Sequence, residues 1–388
     1  MKSCWRRSAD NRAVLEAVFW ISAGLIAYTH AGYPLTLWVL AKLRRRPTLD
    51  HPRPLQELPA VSLIVAAYDE AEVIAAKVEN ALALDYPRER LQLIVASDGS
   101  SDATVEAARG AGADLVLDLP RGGKIAAQDA GAERASGEVL AFSDANSFWR
   151  SDALLRLVEP FADPAVGYVC GQLQFADSDG DNQEGLYWRY EMAVRELESG
   201  LGGVTAGNGG IYAVRSNAYM PLPASASHDL SLPFELAKRG MRALYAPWAV
   251  AEERMVPTLE GEFARKRRMM VGLWDIVVRE GMLSPRGYRP LFAFQIASHR
   301  LIRYLTPLLH LIALAANIAL LGHGWVYAVT LAAQAAILVA ALLGRFVALA
   351  PLRIARYYVL TTASIAAGLW DRARRGSPGT WEKAAGTR

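Results

Sequence analysis

The strongest constraint on this chain is a run of 41 residues, 304–344, that contains no Asp, Glu, Lys or Arg. The hydrocarbon core of a bilayer is about 30 Å thick, and a helix needs roughly 20 apolar residues to cross it. The run therefore has room for two spans, with a turn at 322–325. Residues 17–41 also form an uncharged stretch, which is the first of the two along the chain. We expect at least three transmembrane helices, one at 13–41 and two within 301–344.

The flanks of these stretches predict their orientation. A cleaved signal peptide is the alternative for the first one, but its apolar run exceeds the usual core of about 7 to 15 residues and no small-residue cleavage site follows. Basic residues follow the first stretch and precede the second: Lys42, Arg44, Arg45, Arg46, Arg53, Arg300 and Arg303. The positive-inside bias places the region between them in the cytoplasm. Basic residues at the amino terminus argue the other way.

Charge and cysteine content narrow the class further. The net charge of +3 is concentrated beside the apolar stretches, where topology and anionic lipid explain it better than nucleic acid does. The two cysteines lack C-x-x-C spacing, so we expect no disulfide framework and no zinc site.

Residues 357–370 are uncharged but short for a span. We expect 345–370 to form an interfacial helix, with a fourth span as the alternative, and 371–388 to form a basic tail.

The region from about Pro59 to Ala251 alternates apolar runs of strand length with helix-like segments. The runs VSLIVAA, LQLIVAS, ADLVLDL and EVLAFSD are separated by helical patterns, and VGYVCGQLQF, GGIYAVR and ALYAP follow as further strands. Strands that alternate with helices predict an α/β domain, a mostly parallel sheet with helices on both faces.

Two aspartates end two of these runs, Asp98 after LQLIVAS and Asp144 after EVLAFS. Ligands of open α/β sheets bind at the carboxyl ends of the strands, so both carboxylates should face one crevice. The glycine-rich phosphate loops are missing from the sequence, because residues 66–70 read AAYDE and Gly122-Gly123-Lys124 is followed by isoleucine. Carboxylates without such loops suit a divalent cation that carries phosphates.

Six motifs in order carry a family resemblance: the block 61–104, RGGKIAAQDAG, EVLAFSDAN, GLYWRYE, GGIYAVR and HDL. Together they resemble the family-2 glycosyltransferases, and in particular the membrane-integrated branch of cellulose, hyaluronan and poly-N-acetylglucosamine synthases. The resemblance covers roughly residues 59–280. It implies a GT-A-like, Rossmann-like catalytic domain at 55–255, followed by interfacial helices at 256–300.

The resemblance also implies an activity. The chain would be an inverting transferase of the inner or plasma membrane, with a cytoplasmic catalytic domain, a UDP-linked sugar as donor, and Mg²⁺ or Mn²⁺ as cofactor. The acceptor would be a polysaccharide or a lipid-linked sugar. The protein would contact membrane lipid and could bind an accessory membrane subunit, and no nucleic acid is expected as a partner. Two alternatives stay open: a single-sugar transferase acting on a polyprenyl phosphate, and a non-catalytic nucleotide-sugar-binding membrane subunit.

By the resemblance, the residues that contact the nucleotide-sugar are Ala67, Asp69, Asp98, Lys124, Asp144 and Arg265. Asp69 and Asp98 would bind the uridine, with Asp98 accepting a hydrogen bond from the uracil ring. Asp98 could instead stabilise a turn or cap the start of a helix, since the residues of DGSSD are common at both positions. Lys124 could likewise be a solvated charge at the start of a helix.

Asp144-Ala145-Asn146 stands where the family has its D-x-D metal motif. Residues two apart on an extended segment point the same way, so both side chains could bind one cation. Asn146 departs from the motif, and its neutral oxygen is a weaker ligand.

Asp229 matches the family's catalytic base, which takes the proton of the acceptor hydroxyl. A helix N-cap is the simpler role for this residue. His228 departs from the acidic residue usual before the base, and three roles stay open for it: a surface histidine, an acceptor contact and a metal ligand.

Residues 265–269, RKRRM, occupy the place of the Q-x-x-R-W motif of polymerising synthases. Arg268 matches the motif's arginine and would stabilise the leaving diphosphate. A basic helix on anionic headgroups is the alternative for this segment. Met269 replaces the tryptophan that usually supports the acceptor, a role that Trp274 or Trp188 could take.

Two further patterns have open roles. Gly207-Asn208-Gly209-Gly210 allows a close approach of backbone to ligand or a tight turn. Glu184, Trp188 and Glu191 share one helical face and either line the acceptor path or pack an amphipathic helix.

Overall fold

The computed structural model describes residues 2–44, 57–175, 183–224, 226–253, 259–347 and 349–376. Arg45, Arg46 and Arg53 of the predicted basic flank lie outside the described residues, as do residues 377–388 of the predicted tail.

Eight strands in the described residues form one sheet. They are β1 Val61–Ala67, β2 Leu91–Asp98, β3 Leu115–Leu119, β4 Val139–Asp144, β5 Phe148–Trp149, β6 Val166–Phe175, β7 Tyr212–Arg215 and β8 Arg242–Glu253, in the order β3-β2-β1-β4-β7-β6-β8-β5. Strands β1 to β4 pair in parallel, β7 is antiparallel to both β4 and β6, and β8 is parallel to β6 and antiparallel to β5. Six strands thus end at one edge, which we call the carboxyl edge. The mostly parallel sheet is confirmed.

Helices cover both faces of this sheet. In chain order they are α1 Lys2–Ala27, α2 Tyr33–Arg44, α3 Ile74–Leu82, α4 Thr104–Gly110, α5 Lys124–Glu133, α6 Ala153–Val158, α7 Gln183–Leu201, α8 His228–Lys238, α9 Leu259–Val278, α10 Pro290–Gln295, α11 Thr306–Ala319, α12 Trp325–Leu343 and α13 Ala350–Arg375. In β1, Leu63 packs with Ile74 of α3 on one face, while Ile64 packs in the cluster with Leu232 of α8 on the other. Because both faces are covered, the strand is apolar throughout.

The helices that are long and apolar enough to cross a membrane coincide with only some of the predicted transmembrane segments. A π-helical turn, Tyr28–Gly32, joins α1 to α2, and Asn11–Leu43 is one candidate span; α12 is the second. A π-helical segment, Ile296–Ile302, continues α10, and this helix meets α11 at a bend of 61°. Among the described residues, therefore, two helices could cross a membrane, or three if the bent pair forms one span. The expected minimum of three depends on that pair.

Helix α11 is too short to cross a bilayer alone. Its 14 residues extend about 21 Å at about 1.5 Å per residue, less than the bilayer core of about 30 Å. Helix α13 is not among the candidate spans in the described part of the chain. Two ion pairs attach it to α9 instead: Arg267 Nη2 lies 2.8 Å from Asp371 Oδ1, and Arg372 Nη2 lies 2.5 Å from Asp275 Oδ1.

A buried group of polar residues joins the sheet domain to the apolar helices. We call it the junction network; it comprises Tyr33, Glu191, Glu198, Thr205, His299, Arg300 and Arg303. Glu198 is its centre, because its carboxylate accepts from Tyr33 Oη at 2.5 Å, His299 Nδ1 at 2.8 Å and the Thr205 amide at 3.1 Å. One carboxylate thereby connects α2, α7 and the bent helix pair.

Candidate active site

Four charged side chains converge at the carboxyl edge. Asp144 ends β4, Glu253 ends β8, Lys124 begins α5 and Asp229 lies in the first turn of α8. The ammonium group of Lys124 forms an ion pair with Asp144 Oδ1. Burial lowers the pKa of Lys124, but the carboxylate of Asp144 and two more in the site outweigh burial, so the net shift is upward. Lys124 is thus held charged among three carboxylates, rather than solvated at a helix start.

Glu253 is the member of this group that sequence reasoning missed. Burial and the nearby Asp144 carboxylate raise its pKa to about 7, and Ser147 Oγ donates to its Oε1. The available signal was the same as for Asp98 and Asp144, an acidic residue at the end of an apolar strand. The predicted strand ALYAP stopped too early, because β8 continues past Pro247 to Glu253.

Asp229 is held by its side chain and by its backbone. Ser227, in an extended conformation before α8, donates its hydroxyl to Asp229 Oδ1. The Asp229 carbonyl has no helical amide partner four residues on, because that residue is Pro233. It accepts instead from the amide of Gly207 at 2.6 Å. Burial raises the pKa of Asp229, and Lys124 opposes the shift without cancelling it.

Residues 205–210, the glycine loop, complete this side of the site. Arg195 of α7 holds the loop by donating to Asn208 Oδ1 at 2.6 Å and to the Gly207 carbonyl at 3.1 Å. A Cβ at Gly210 would lie 2.5 Å from Glu253 Oε1 and closer still to Ser147 Oγ. The loop therefore needs glycine where its backbone touches the side chains of the site.

The segment after β4 differs from the prediction. Asp144 ends the strand, but Ala145 and Asn146 form a turn, and the Ala145 side chain is buried in the core. The expectation that residues 144–146 are extended is wrong, and the shared metal site of Asp144 and Asn146 stays a prediction. The strand pairing of β4 to β1 ends at Asp144, so nothing in the sheet keeps the next residues extended.

The acidic residues fit a divalent cation that arrives with a diphosphate. Among the described residues, no three His, Cys, Asp or Glu side chains form a ready metal cage. Asp144 nonetheless raises the pKa of the buried Glu253, so the two carboxylates repel each other. Mg²⁺ is commonly held by one or two carboxylates together with substrate phosphates rather than by a full protein cage. A cation bound this way would relieve the repulsion.

Asp98 holds the segment that leads to Lys124. Its carboxylate is 1% exposed and forms an ion pair with Arg121 Nη1 at 2.5 Å. It also accepts from the amides of Gly122 at 2.7 Å and Gly123 at 2.9 Å. The predicted acceptance from a uracil ring would add a fourth donor to a carboxylate that already has these three.

Ala67 and Asp69 lie at the end of β1. The side chain of Ala67 is fully buried in the sheet, so it does not reach the crevice. Asp69 has a φ of 49° and accepts from the Ser101 amide at 2.7 Å, which ties the ends of β1 and β2 together. The predicted donor contact of Asp69 lies on the same edge as Asp98.

Helix α9 carries the two arginines predicted for the site, Arg265 and Arg268, in different surroundings. Arg268 is exposed, as is Met269, whereas Arg265 is half-buried and its charge acts on Glu253. Lys266 donates to Tyr357 Oη at 2.5 Å, and Arg267 pairs with Asp371, so both contact α13. The predicted contact of Arg268 with a leaving diphosphate has no support in this arrangement.

The remaining candidates lie in the core or at the junction. Trp188 donates to the Leu173 carbonyl at 2.7 Å and packs in the core. Trp274 packs edge-on to Tyr304, with ring centroids 6.3 Å apart. Glu191 belongs to the junction network, while the side chain of Glu184 lies outside the described residues. His228, 3% exposed, is not a surface histidine.

Comparisons with known proteins add sequence relatives. Residues 62–218 match the family model described as Glycosyl transferase family 2. Poly-beta-1,6-N-acetyl-D-glucosamine synthase of Staphylococcus aureus (strain COL) is 24% identical over 279 residues, which cover 69% of this chain and 65% of that protein. The glycosyltransferase AglE of Haloferax volcanii is 30% identical over 128 residues, 32% of this chain and 42% of that protein. The match thus spans less than two thirds of either relative.

A solved structure matches nearly the whole fold. The mannosyltransferase PcManGT from Pyrobaculum calidifontis, in complex with GDP-Man and Mn²⁺, superposes with a TM-score of 0.71 at 24% identity. The superposition covers 93% of this chain and 99% of that one. The likeness extends over the sheet domain and the apolar helices, which confirms the predicted GT-A-like fold.

Proposed function

Because the chain contains a family 2 glycosyltransferase domain at residues 62–218, we propose that it transfers a sugar from a nucleotide-sugar to an acceptor at a membrane, with inversion at the anomeric carbon. The observation that carries the proposal is the convergence of Asp229, Lys124 and Asp144 at the carboxyl edge. A base, a cation and a metal-binding carboxylate are the groups that such a transfer needs.

Asp229 is the proposed base. Its carboxylate takes the proton of the acceptor hydroxyl, the acceptor oxygen forms a bond to the anomeric carbon, and the bond from that carbon to the diphosphate oxygen breaks. The electron pair leaves with the nucleoside diphosphate. A base placed in this way contributes about 10² to 10⁴-fold to the rate. Its raised pKa supports the role, because a buried carboxylate is a stronger proton acceptor.

Lys124 and Arg265 are the proposed cations for the leaving group. Lys124 is already seated against Asp144, and the charge of Arg265 acts on Glu253. A guanidinium matches two diphosphate oxygens at once. We therefore assign to Arg265 the role that the sequence pattern suggested for Arg268, since Arg268 is exposed.

Asp144 and Asn146, with Glu253 beside them, would hold a divalent cation together with the donor. When bound, Mg²⁺ or Mn²⁺ would neutralise charge that develops on the diphosphate. The Mn²⁺ in the PcManGT complex supports a metal of this kind.

The likeness to the poly-N-acetylglucosamine synthase supports a polysaccharide acceptor. A UDP-linked sugar, which the motif resemblance implies, is the first donor to test. GDP-mannose is the second donor to test, since PcManGT binds it. Addition of a single sugar to a lipid-linked acceptor is the second candidate function. The exposed Met269 favours it, because this residue replaces the tryptophan expected of a polymerising enzyme. The catalytic domain would face the cytoplasm of the inner or plasma membrane.

The full-length protein in detergent, supplied with Mn²⁺ or Mg²⁺ and a panel of nucleotide-sugars, tests the proposal. We expect release of nucleoside diphosphate with one donor and, in Asp229→Asn, a loss of about 100-fold or more in kcat. Donor affinity, measured by calorimetry, should be retained in this variant. The exposed Asp118→Asn on β3 is the matched control and should behave as wild type.

Two results would contradict the assignment. Full activity of Asp229→Asn would exclude it as the base. Nucleotide-sugar binding without turnover for every donor and metal would favour the non-catalytic alternative. Product length on a gel separates polymerisation from single addition.

A further inference from the structure

A buried chain of hydrogen bonds runs from α5 to the start of α8. Gln128 Nε2 lies 3.1 Å from Tyr212 Oη, and Tyr212 Oη lies 2.7 Å from His228 Nδ1. All three side chains are buried. Buried polar groups of this kind are costly unless paired, so these hydrogen bonds fix the relative positions of the elements that carry them.

The hydrogen bonds of this chain have a defined donor and acceptor order. The Gln128 amide donates to the Tyr212 oxygen, so the hydroxyl hydrogen of Tyr212 is directed to His228 Nδ1, which accepts it. The hydrogen of the imidazole is then on Nε2, which faces Asp129 Oδ1 at 3.7 Å. Burial lowers the pKa of His228, although Asp129 opposes the shift, and a neutral ring suits this pattern of donors and acceptors.

Aromatic rings hold the imidazole from the sides. The ring centroids of Phe142, Tyr219 and Tyr212 lie 5.3, 5.6 and 6.0 Å from that of His228, each with its plane nearly perpendicular. Tyr219 Oη also donates to Asp129, so the carboxylate that faces Nε2 is itself fixed. The ring thus has one orientation in this packing. An acceptor contact or a metal-ligand role would require a ring nitrogen that reaches the crevice, and both nitrogens face protein groups.

The two ends of this chain of hydrogen bonds, Gln128 and His228, adjoin Lys124 and Asp229 of the site. Gln128 follows Lys124 by one helical turn on the same face of α5. His228 precedes Asp229 in the first turn of α8. The chain Gln128–Tyr212–His228 therefore connects the helix that carries the cation with the helix that carries the carboxylate.

We propose that His228 is a positioning residue that sets the Asp229 carboxylate relative to Lys124 through its hydrogen bond to Tyr212. The inference rests on the proposed function, in which Asp229 is the base. An aligned base is needed only when the acceptor is deprotonated. The link should therefore affect kcat and leave the KM for the donor unchanged.

Two amide substitutions separate this role from simple packing. In His228→Asn the amide oxygen lies near the position of Nδ1 and can accept from Tyr212, whereas in His228→Gln the polar atoms lie near the position of Nε2 and the Tyr212 hydroxyl loses its acceptor. We expect His228→Gln to lose about 10-fold or more in kcat, since a misplacement of about 1 Å can cost up to 10²-fold. His228→Asn should stay within about 3-fold of wild type, by the same reasoning.

Tyr212→Phe provides the second measurement. It keeps the ring and the stacking but removes the hydroxyl, so we expect the kcat loss of His228→Gln without a change in donor KM. The double variant Tyr212→Phe/His228→Gln should lose no more than either single variant, because both remove one link. If the His228 variants fail to fold, as judged by thermal unfolding, the kcat and KM of Tyr212→Phe decide the question.

The outcomes distinguish the inference from the function on which it rests. Greater activity of His228→Gln than of His228→Asn would indicate packing, because glutamine is closer to histidine in size, and would overturn the inference. Wild-type kcat in Tyr212→Phe would also overturn it. If instead Asp229→Asn is fully active while His228→Gln and Tyr212→Phe are impaired, the base assignment fails and the link acts on another group.

Discussion

Lys124 is the residue that connects the segment held by Asp98 with the carboxylates of the candidate site. It pairs with Asp144, and its position depends on Asp98, which binds the two amides that precede it. Gly123 has a φ of 93°, a conformation that glycine adopts without strain. Gly122-Gly123-Lys124 therefore acts as a turn bound to a carboxylate, not as a phosphate loop.

At the same scale, Gly210→Ala should impair the site while Gly209→Ala should not. The new methyl group at Gly210 would meet Glu253 and Ser147, whereas at Gly209 it would lie 3.7 Å from Lys124 Nζ, an ordinary contact. We expect Gly210→Ala to lower kcat/KM about 10-fold or more, because sub-ångström displacement of site groups is costly. Steady-state assays of both variants test this. Equal activity would show that Glu253 can move without consequence.

Single residues show where prediction from the sequence stops. Asp98 and Asp144 were found because the end of a strand is a local signal. The contact of Asp98 with residues 121–123 was not, because it joins segments more than twenty positions apart. Arg265 and Arg268 are neighbours on one helical face, three positions apart. Only the packing of α9 decides which of them faces Glu253.

At the scale of the element, α8 is a helix in which one backbone carbonyl, that of Asp229, binds an amide outside the helix. Pro233 lacks the amide that would bind the Asp229 carbonyl, and the glycine loop supplies the Gly207 amide instead. The proline thus connects the helix that carries Asp229 to a loop of the same candidate site. A regular helix at this position would leave the Gly207 amide without that partner.

Pro233→Ala should therefore separate stability from activity. The alanine amide can bind the Asp229 carbonyl, so the helix becomes regular and the melting temperature should stay the same or rise. The glycine loop loses its acceptor, and we expect kcat to fall about 3 to 10-fold through the displaced site. Pro290→Ala is the control, since Pro290 begins α10, where no amide is needed. An unchanged kcat in Pro233→Ala would contradict the redirected bond.

Elements were predicted well where a period or a composition defines them, as in β1, β2 and α12. The bend before α11 was not predicted, although its cause is in the sequence. Pro307 has no amide to bind the carbonyl of Arg303, so the helix breaks there. Hydropathy counts apolar residues and is insensitive to such a break, which is why residues 301–344 were expected to hold two complete spans.

At the scale of the whole molecule, Glu198 is the residue whose loss should matter most for stability. Glu198→Gln removes the charge that compensates His299 and Arg300 in a buried site, and we expect a cost of about 3 kcal/mol in unfolding free energy. Glu196→Gln, exposed on the same helix, is the control and should change little. Thermal unfolding in detergent measures both. Equal melting temperatures would show that the junction network does not stabilise the fold.

The same variant has a defined pH dependence. Burial raises the pKa of Glu198, but His299, Arg300 and Tyr33 outweigh burial and the net shift is downward. A lowered folded-state pKa gives stability that is present above the ordinary value of glutamate and lost as pH falls through the folded value. Wild type should therefore lose stability on acidification relative to Glu198→Gln, which cannot titrate.

The sequence was sufficient for the fold class but not for the junction. Alternating strands and helices define an α/β sheet locally. The contact of Tyr33 with Glu198 joins residues 165 positions apart, and neither residue is unusual in its own segment. Long-range pairs between polar residues of this kind leave no periodic signal.

The burial of Tyr33 and Leu37 against Val194 and Leu201 of α7 has a consequence for the acceptor. The helix that carries these two residues belongs to the candidate span Asn11–Leu43 and also packs against α7 of the sheet domain. When that span crosses a bilayer, the crevice stands at one fixed elevation above the lipid surface. An acceptor anchored in the same membrane would then have to extend across that distance to reach the crevice.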